Sequence, residues 1–273
     1  CITKTRKVDT IIQTLFTALN PMLPVERQNI ILSHLAASES VRTIELASIL
    51  EVTDETVRKD LENLEKRGEL LRIHGGAVRP NQSRVELALT ERKQVNREAK
   101  TAIARLAAER IEPNDTIFID ASSTALTLVE HLPNFHLTVL TNAHNVISAL
   151  ADREGIDLIC TGGIYEPRSR SYIGLTAEST MRKHNIHRMF FSCNGIHLER
   201  GVSETNSRQA SFKERVIECS EEVCCLADST KISLKSSFFF AQIPDLTTLV
   251  TNEDAEPGFT AALANQGIEV LRA

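Results

Sequence analysis

Apolar residues along the chain follow two different periods. Within residues 25–79 they repeat at helical spacing, and VERQNIILSHLAA places Ile30, Ile31, His34 and Leu35 on one face. IELASIL predicts a second helix with Thr43 positioned to cap it, and DETVRKDLENLEKRG a third with Thr53 as its cap. The third carries Asp54 and Glu55 in its first turn, where the helix dipole favours anions. Val57, Leu61 and Leu64 repeat toward a core, and Gly68 follows as the C′ residue. ELLRIHGGAVRP then predicts two short strands turning at Gly75 and Gly76. Helix, turn, capped helix and hairpin is the plan of a winged helix-turn-helix, whose third helix enters the major groove while the hairpin follows the backbone.

From Ala99 the pattern changes. A helix, AKTAIARLAAERI, leads into seven short aliphatic runs separated by helical stretches: TIFID (116–120), LTVLT (137–141), IDLIC (156–160), HRMFFSC (187–193), EVCCLAD (222–228), LTTLVT (246–251) and IEVL (268–271). Strands alternating with helices predict a largely parallel sheet covered on both faces. The expected organisation is a winged helix-turn-helix over 22–79, a polar linker over 80–98 and an α/β domain for binding an effector and for oligomerisation over 99–273. Residues 1–21 read as an extension outside the native fold. Lys4, Arg6 and Lys7 before IIQTLFTAL imitate a signal peptide, but Asp9, Gln13 and Thr14 interrupt it, and Met22 suits a start.

Composition narrows the function. With 42% hydrophobic and 25% charged residues, the 273-residue chain is neither disordered nor membrane-embedded, and no run approaches the length of a membrane span. Aromatics at 4%, with no Trp, require an aliphatic core. Six scattered cysteines without a CxxC pair suit a reducing, cytoplasmic setting, and Cys224 and Cys225 in an apolar run read as core. His184 and His187 lack an acidic or thiol neighbour in sequence, so no metal and no cofactor is expected.

A net charge of −5 means that any DNA-binding surface must be local. Over 56–79 six bases outnumber four acids, although 22–79 as a whole is net acidic, so the positive charge gathers at the start of the third helix and on the wing. The candidate DNA-binding residues are Thr53, Thr56, Arg58 and Lys59 on the helix, with Arg72 and His74 on the wing. Asp60 is expected to hold a neighbouring arginine, and Glu62 with Lys66 forms an i,i+4 pair. The run VTDETVRKDLENLEKRGELLRIHGGA, preceded by ERQNII, closely resembles the DNA-binding signature of DeoR-type bacterial transcription regulators. Its marks here are Thr56, Arg58, Asp60, Leu61, Gly68 and His74 to Ala77.

In a parallel sheet, ligands bind beyond the carboxyl ends of the strands. There the chain places Asp120-Ala121-Ser122-Ser123-Thr124, Thr141-Asn142, Thr161-Gly162-Gly163, Asn194-Gly195 and Asp228-Ser229-Thr230-Lys231. One such loop is ordinarily only a helix cap; five on one edge outline a polar pocket for a small, hydroxyl-rich, phosphorylated ligand. Neither a Walker loop nor a GxGxxG dinucleotide fingerprint is present.

This half also resembles the DeoR-type effector domain, similar in fold to sugar-phosphate isomerases such as ribose-5-phosphate isomerase. IDASSTALTLVEHL, TNAHNVISAL, TGGIYEPRSRSYIG, FFSCNGI and ADSTK carry the likeness, which with the first region spans about 24–251 and is nearest to the fucose-operon regulators. The resemblance implies an oligomeric regulator of sugar catabolism genes, a dimer or tetramer that binds an operator in double-stranded DNA and answers to a phosphorylated sugar. It directs attention to Asp120, Ser122, Ser123, Thr124, Thr141, Asn142, Gly162, Gly163, Lys213 and Lys231 as effector-binding residues. Arg168 and Tyr172 are candidates for a mobile closing loop, and His197, where the family often has Asp, departs from the pattern. Two competing readings are a sugar-phosphate isomerase-like enzyme using Asp120 or Glu204 as base, and a DNA-associated scaffold without ligand.

Overall fold

In a computed structural model the described residues are 22–38, 40–67, 69–73, 75–78 and 89–273, and the chain divides into two compact units between Gln82 and Ser83. Gly68 and His74, the expected extension 1–21 and the first part of the expected linker lie outside the described residues.

The smaller unit has three helices, α1 (Pro24–Ala37), α2 (Thr43–Ile49) and α3 (Asp54–Lys66). Pro24 at the first helical position and Glu26, whose carboxylate accepts the Leu23 N–H at 3.1 Å, start α1. Ile31, Leu35, Leu46, Val57, Leu61 and Leu64 fill its core, as the periodicity predicted, and Ile30 and His34 flank it half-buried. Thr43 does not cap α2: it is the first residue inside the helix, buried, with its N–H on the Gly75 carbonyl at 2.7 Å. Strands β2 (Leu71–Ile73) and β3 (Gly76–Val78) form the wing, joined by an unforeseen edge strand, β1 (Ser40–Arg42), in the order β1-β3-β2. Gly76 is obligatory there, because a Cβ would lie 1.9 Å from the Val41 carbonyl oxygen.

In the larger unit the seven aliphatic runs become seven strands of one parallel sheet. They are β4 (Thr116–Ile119), β5 (Leu137–Thr141), β6 (Ile156–Cys160), β9 (Ile186–Phe191), β12 (Ser220–Leu226), β14 (Thr248–Thr251) and β15 (Glu269–Arg272), ordered β15-β14-β12-β9-β4-β5-β6. Side chains alternate between two cores. Ile117, Ile119, Val139 and Phe190 meet α5 (Arg97–Ala108), α6 (Ser123–Leu128) and α7 (His144–Leu150). Phe118, Leu140, Met189 and Phe191 meet α8 (Leu175–Met181), α9 (Ser207–Ile217) and α10 (Pro257–Asn265). Cys224 and Cys225 enter opposite cores, and burial pushes the Cys224 thiol up to about 12.

Two features were not visible in the sequence: a hairpin of β7 (Ile164–Glu166) and β8 (Ser171–Ile173), and a small antiparallel sheet of β10 (Gly195–His197), β11 (Gly201–Glu204) and β13 (Phe238–Ala241). The stretch expected as linker is folded from Leu89 onward, as a short helix α4 (Leu89–Arg92) whose Leu89 is buried. Among the described residues, no helix is long and apolar enough to cross a membrane.

The order of the strands locates a site. From β4 the chain steps outward to β5 and β6, then returns to place β9 on the other side of β4 and runs outward to β15. The strand order therefore reverses between β4 and β9, and a crevice opens at that point beyond the carboxyl ends.

Candidate functional site

Helix α3, the candidate DNA-binding helix, is sorted by charge. Thr53 caps it, its hydroxyl accepting the Thr56 N–H at 3.3 Å while the two hydroxyls pair at 2.9 Å. Asp60 turns inward, 3% exposed, and accepts Arg27 Nε at 2.7 Å and Gln28 Nε2 at 3.1 Å; Gln28 in turn accepts Arg67 at 2.9 Å. The acid in the middle of the helix thus ties α3 to α1 and is withdrawn from the outer face. Arg58 and Lys59 remain on that face, and among the described residues Arg58 pairs only with an exposed Glu55 at 3.7 Å. On the wing, Arg72 gives its backbone N–H to Glu65 at 2.9 Å and its guanidinium stands 4.0 Å from the same carboxylate. Lys66 and Glu62 pair at 2.8 Å.

In the larger unit the polar loops follow one another along the carboxyl edge in strand order. At its centre, where β4 and β9 adjoin, Asp120 is 1% exposed. Its Oδ1 accepts the Ser122 hydroxyl and, at 3.0 Å, the Ser122 N–H; its Oδ2 accepts the Ser192 N–H at 3.4 Å and lies 3.0 Å from Lys213 Nζ. Lys213 projects from α9, buried, and its ammonium also donates to Glu204 of β11 and to the Ser192 carbonyl at 2.6 Å. Burial works against the ammonium, but Asp120 and Glu204 outweigh it and raise the Lys213 pKa. Three donors thus meet three acceptors of the protein itself. The sequence marked Lys213 and Asp120 as ligand residues; in the structure they form a brace between the β4, β9 and β11 loops.

Around this brace the remaining candidates divide by whether their polar atoms are engaged. Ser122 caps α6 through the Ala125 N–H at 3.2 Å. The hydroxyls of Ser123 and Thr124, on buried residues of the same turn, take no hydrogen-bond partner among the described residues. Thr141 is fully engaged, donating to the Ile119 carbonyl at 2.6 Å and accepting the Ala143 N–H at 3.0 Å. Asn142 donates to the Tyr172 carbonyl at 3.2 Å, and its buried Oδ1 has no partner among the described residues. Gly162 and Gly163 both have positive φ; a Cβ on Gly163 would lie 2.5 Å from the Ile173 carbonyl oxygen, so this glycine admits β8. Lys231, half-buried on a single 3-10 turn, forms no ion pair among the described residues.

Tyr172 is part of β8, with its N–H on the Asn142 carbonyl at 2.8 Å and its ring among those of His144 and Tyr165. His187 does have an acidic neighbour, Asp115 at 3.5 Å, but its Nδ1 accepts the Thr116 N–H at 3.0 Å at the other end of the sheet. No cluster of metal-ligating side chains occurs among the described residues. Three groups near the edge escaped the sequence reading. Gln209 donates to Ser169 and Ser171 at 3.0 and 2.7 Å. Asn96 and Lys100 lie at the start of α5, where burial pushes the Lys100 ammonium down to about 8 against the pull of Asp228.

Comparison with known proteins agrees with this division. Residues 27–83 match the model of the DeoR-like helix-turn-helix domain, and residues 95–253 that of the DeoR C terminal sensor domain. The HTH-type transcriptional regulator YulB of Bacillus subtilis is 37% identical over 91% of this chain and 96% of its own length. An L-fucose operon activator of Haemophilus influenzae is 32% identical over 83% and 91%, and the HTH-type transcriptional repressor GlcR of Bacillus subtilis 28% over 92% and 96%. The solved structure of ribose 5-phosphate isomerase A from Methanocaldococcus jannaschii aligns with half of the chain at 13% identity and a TM-score of 0.38, too distant to bear on the assignment. With a helix-turn-helix model and a sensor-domain model matched in sequence, and relatives aligned nearly end to end, the chain belongs to the DeoR family of DNA-binding transcription regulators.

Proposed function

We propose that this regulator binds an operator of sugar catabolism genes through α3 and the wing, and that a phosphorylated sugar at the carboxyl edge of the sheet controls that binding. The observation that carries the proposal is the unengaged pair of hydroxyls on Ser123 and Thr124, held in a buried turn beside the reversal of strand order. Backbone N–H groups of the same turn and the Lys231 ammonium supply further donors suited to a phosphate, while Gly162 and Asn142 wall the pocket. Lys213 and Asp120 position these loops and do not donate to the ligand. Thr53, Thr56, Arg58, Lys59, Arg72 and His74 form the DNA-binding set. One such module buries too little surface to hold DNA tightly, so the working species is a dimer or tetramer reading repeated half-sites in the cytoplasm.

The isomerase reading fares worse, since abstraction of a carbon-bound proton needs a carboxylate free to receive it. Asp120 and Glu204 are both bonded to Lys213.

A thermal-shift screen of sugar phosphates against the parent sugars tests the effector. A phosphorylated sugar raises the melting temperature and its parent does not, and Ser123→Ala or Thr124→Val weakens its binding by roughly tenfold or more, the size of a lost hydrogen bond to a charged group. Equal binding of the unphosphorylated sugar, or full binding by both variants, overturns the assignment.

A further inference from the structure

The segment that leads from the DNA-binding unit into the sensor is fastened to two of the loops just described. Leu89 gives its N–H to the Arg168 carbonyl, in the turn of the β7–β8 hairpin, at 3.2 Å. Asn96 gives its side-chain amide to Asp228 Oδ1 at 3.0 Å and to the Thr230 hydroxyl at 3.3 Å, in the loop after β12. Between these ends Lys100 closes the segment on itself, its ammonium on the Arg92 and Val95 carbonyls at 2.6 and 2.7 Å.

Asn96 shows what these bonds do. It occupies the N-cap of α5, where asparagine ordinarily accepts one of the helix's own N–H groups; here no side-chain cap bond forms. Its backbone is in the left-handed region, at φ 52°. The left-handed backbone is one that asparagine tolerates, but its capping preference is set aside and the amide is spent on the β12 loop instead. The same Asp228 oxygen also accepts the Thr230 N–H at 3.1 Å and the Thr230 hydroxyl, so one atom holds both the loop and the segment. A cleft of about 500 Å³ opens between the start of α5 and the loops that carry Asp228 and Asn252, so at this end the strap meets the loops through polar bonds, while at the other end Leu89 is buried in the core.

We propose that Leu89–Lys100 is the output strap of the sensor and Asn96 its latch, so that a ligand engaging the β12 loop changes the hold on the strap and so the action of the DNA-binding unit that precedes it in the chain. The proposal rests on the effector reading above. It requires that ligand favour one arrangement of the latch over the other.

The test uses the full chain and two variants. Asn96→Gly deletes the amide and keeps a residue at ease with positive φ; Asn96→Asp keeps the shape and sets a carboxylate against Asp228. Hydrogen exchange without ligand is read first: in both variants the amides of residues 89–96 exchange at least tenfold faster, while those of β4 and β9 are unchanged. Unchanged exchange over 89–96 overturns the strap, whether or not any sugar phosphate binds. The second reading uses a duplex selected by the wild-type protein from a random library, with ribose 5-phosphate, fructose 6-phosphate and inorganic phosphate as probes. The probe that shifts wild-type melting shifts Asn96→Gly equally, but its effect on duplex affinity falls at least fivefold. A full DNA response in Asn96→Gly overturns the latch. If no probe binds the wild type, the effector reading fails and the exchange result alone decides the strap.

Discussion

Replacing Lys213 with methionine removes the cation from the brace at the centre of the loop edge while nearly keeping its volume. Asp120 and Glu204 are then two carboxylates, 1% and 7% exposed, with no ion-pair partner among the described residues. Stranding a buried charge in this way costs about 3–5 kcal/mol. For a unit of this size that amounts to roughly 10 °C in melting temperature at about 2–4 °C per kcal/mol. The two acids do not suffer equally. Asp120 keeps the Ser122 hydroxyl and the N–H groups of Ser122 and Ser192, whereas Glu204 loses the one side-chain cation it pairs with among the described residues.

The double variant Lys213→Met/Glu204→Gln therefore regains most of the lost stability, and Lys213→Met/Asp120→Asn much less. Urea unfolding followed by far-ultraviolet circular dichroism measures all three. The pH dependence separates an electrostatic cause from poor packing. In the wild type the raised Lys213 pKa means its stabilising effect is complete below 10.5 and fades only as pH climbs through the higher folded value. A loss under about 1 kcal/mol, or equal rescue by the two second-site changes, refutes the reasoning.

Arg58→Ala lowers operator affinity by about 1–3 kcal/mol and flattens its salt dependence by about one unit of slope, with thermal stability unchanged because the side chain is exposed; a fall in melting temperature alongside shows that Arg58 only braces the helix. Asp60→Ala strips Arg27 and Gln28 of their shared acceptor and destabilises the smaller unit by about 3 kcal/mol, which urea unfolding of the full chain reports as an early transition; coincident transitions count against it. Lys100 is poised in the opposite sense from Lys213: with its folded value near 8 below the ordinary 10.5, stability rises between those pH values as the unfolded chain sheds the extra proton. Melting temperatures of wild type and Lys100→Met across that window differ in slope, and parallel curves refute the depressed pKa.

The sequence disclosed what periodicity and capping control. All seven strands of the main sheet coincide with aliphatic runs, and the inner ones do so because a parallel strand buried on both faces must be apolar along its length, as TIFI and LTVLT are; the edge strands β6 and β15 are only half-buried. Thr53 was legible as a cap because it precedes acidic residues and a helical repeat. Thr43 misled for a reason peculiar to this fold: its N–H pairs with Gly75 across the wing, so the helix begins one residue early. Strand β1 is three residues long with the pattern exposed-buried-exposed, too short to stand out from a turn. Most opaque were the partnerships of the loop edge. Nothing near Lys213 in sequence points to Asp120, and Asn96 looked like polar linker until Asp228 lay beside it. A contact made by topology leaves no local period to read.

The acidic balance of the chain and its grip on DNA are reconciled by where the acids of α3 go. Asp60 is buried against Arg27, Glu62 is paired with Lys66, and Glu65 is occupied with the wing at Arg72. Only Asp54 and Glu55 are left in the first turn, where they favour the helix dipole. The exposed pairs at Arg58 and Arg72 are worth at most about 1 kcal/mol each, less than a charge-assisted bond to phosphate, so in the proposed DNA complex a phosphate would displace them at little cost. The inward turn of Asp60 is the step that cannot be spared. An acid left on the outer face in the middle of the helix would confront the phosphates directly, and the tie that withdraws it also fixes α3 against α1. Folding of the smaller unit and the sign of its DNA-binding face thus depend on the same carboxylate.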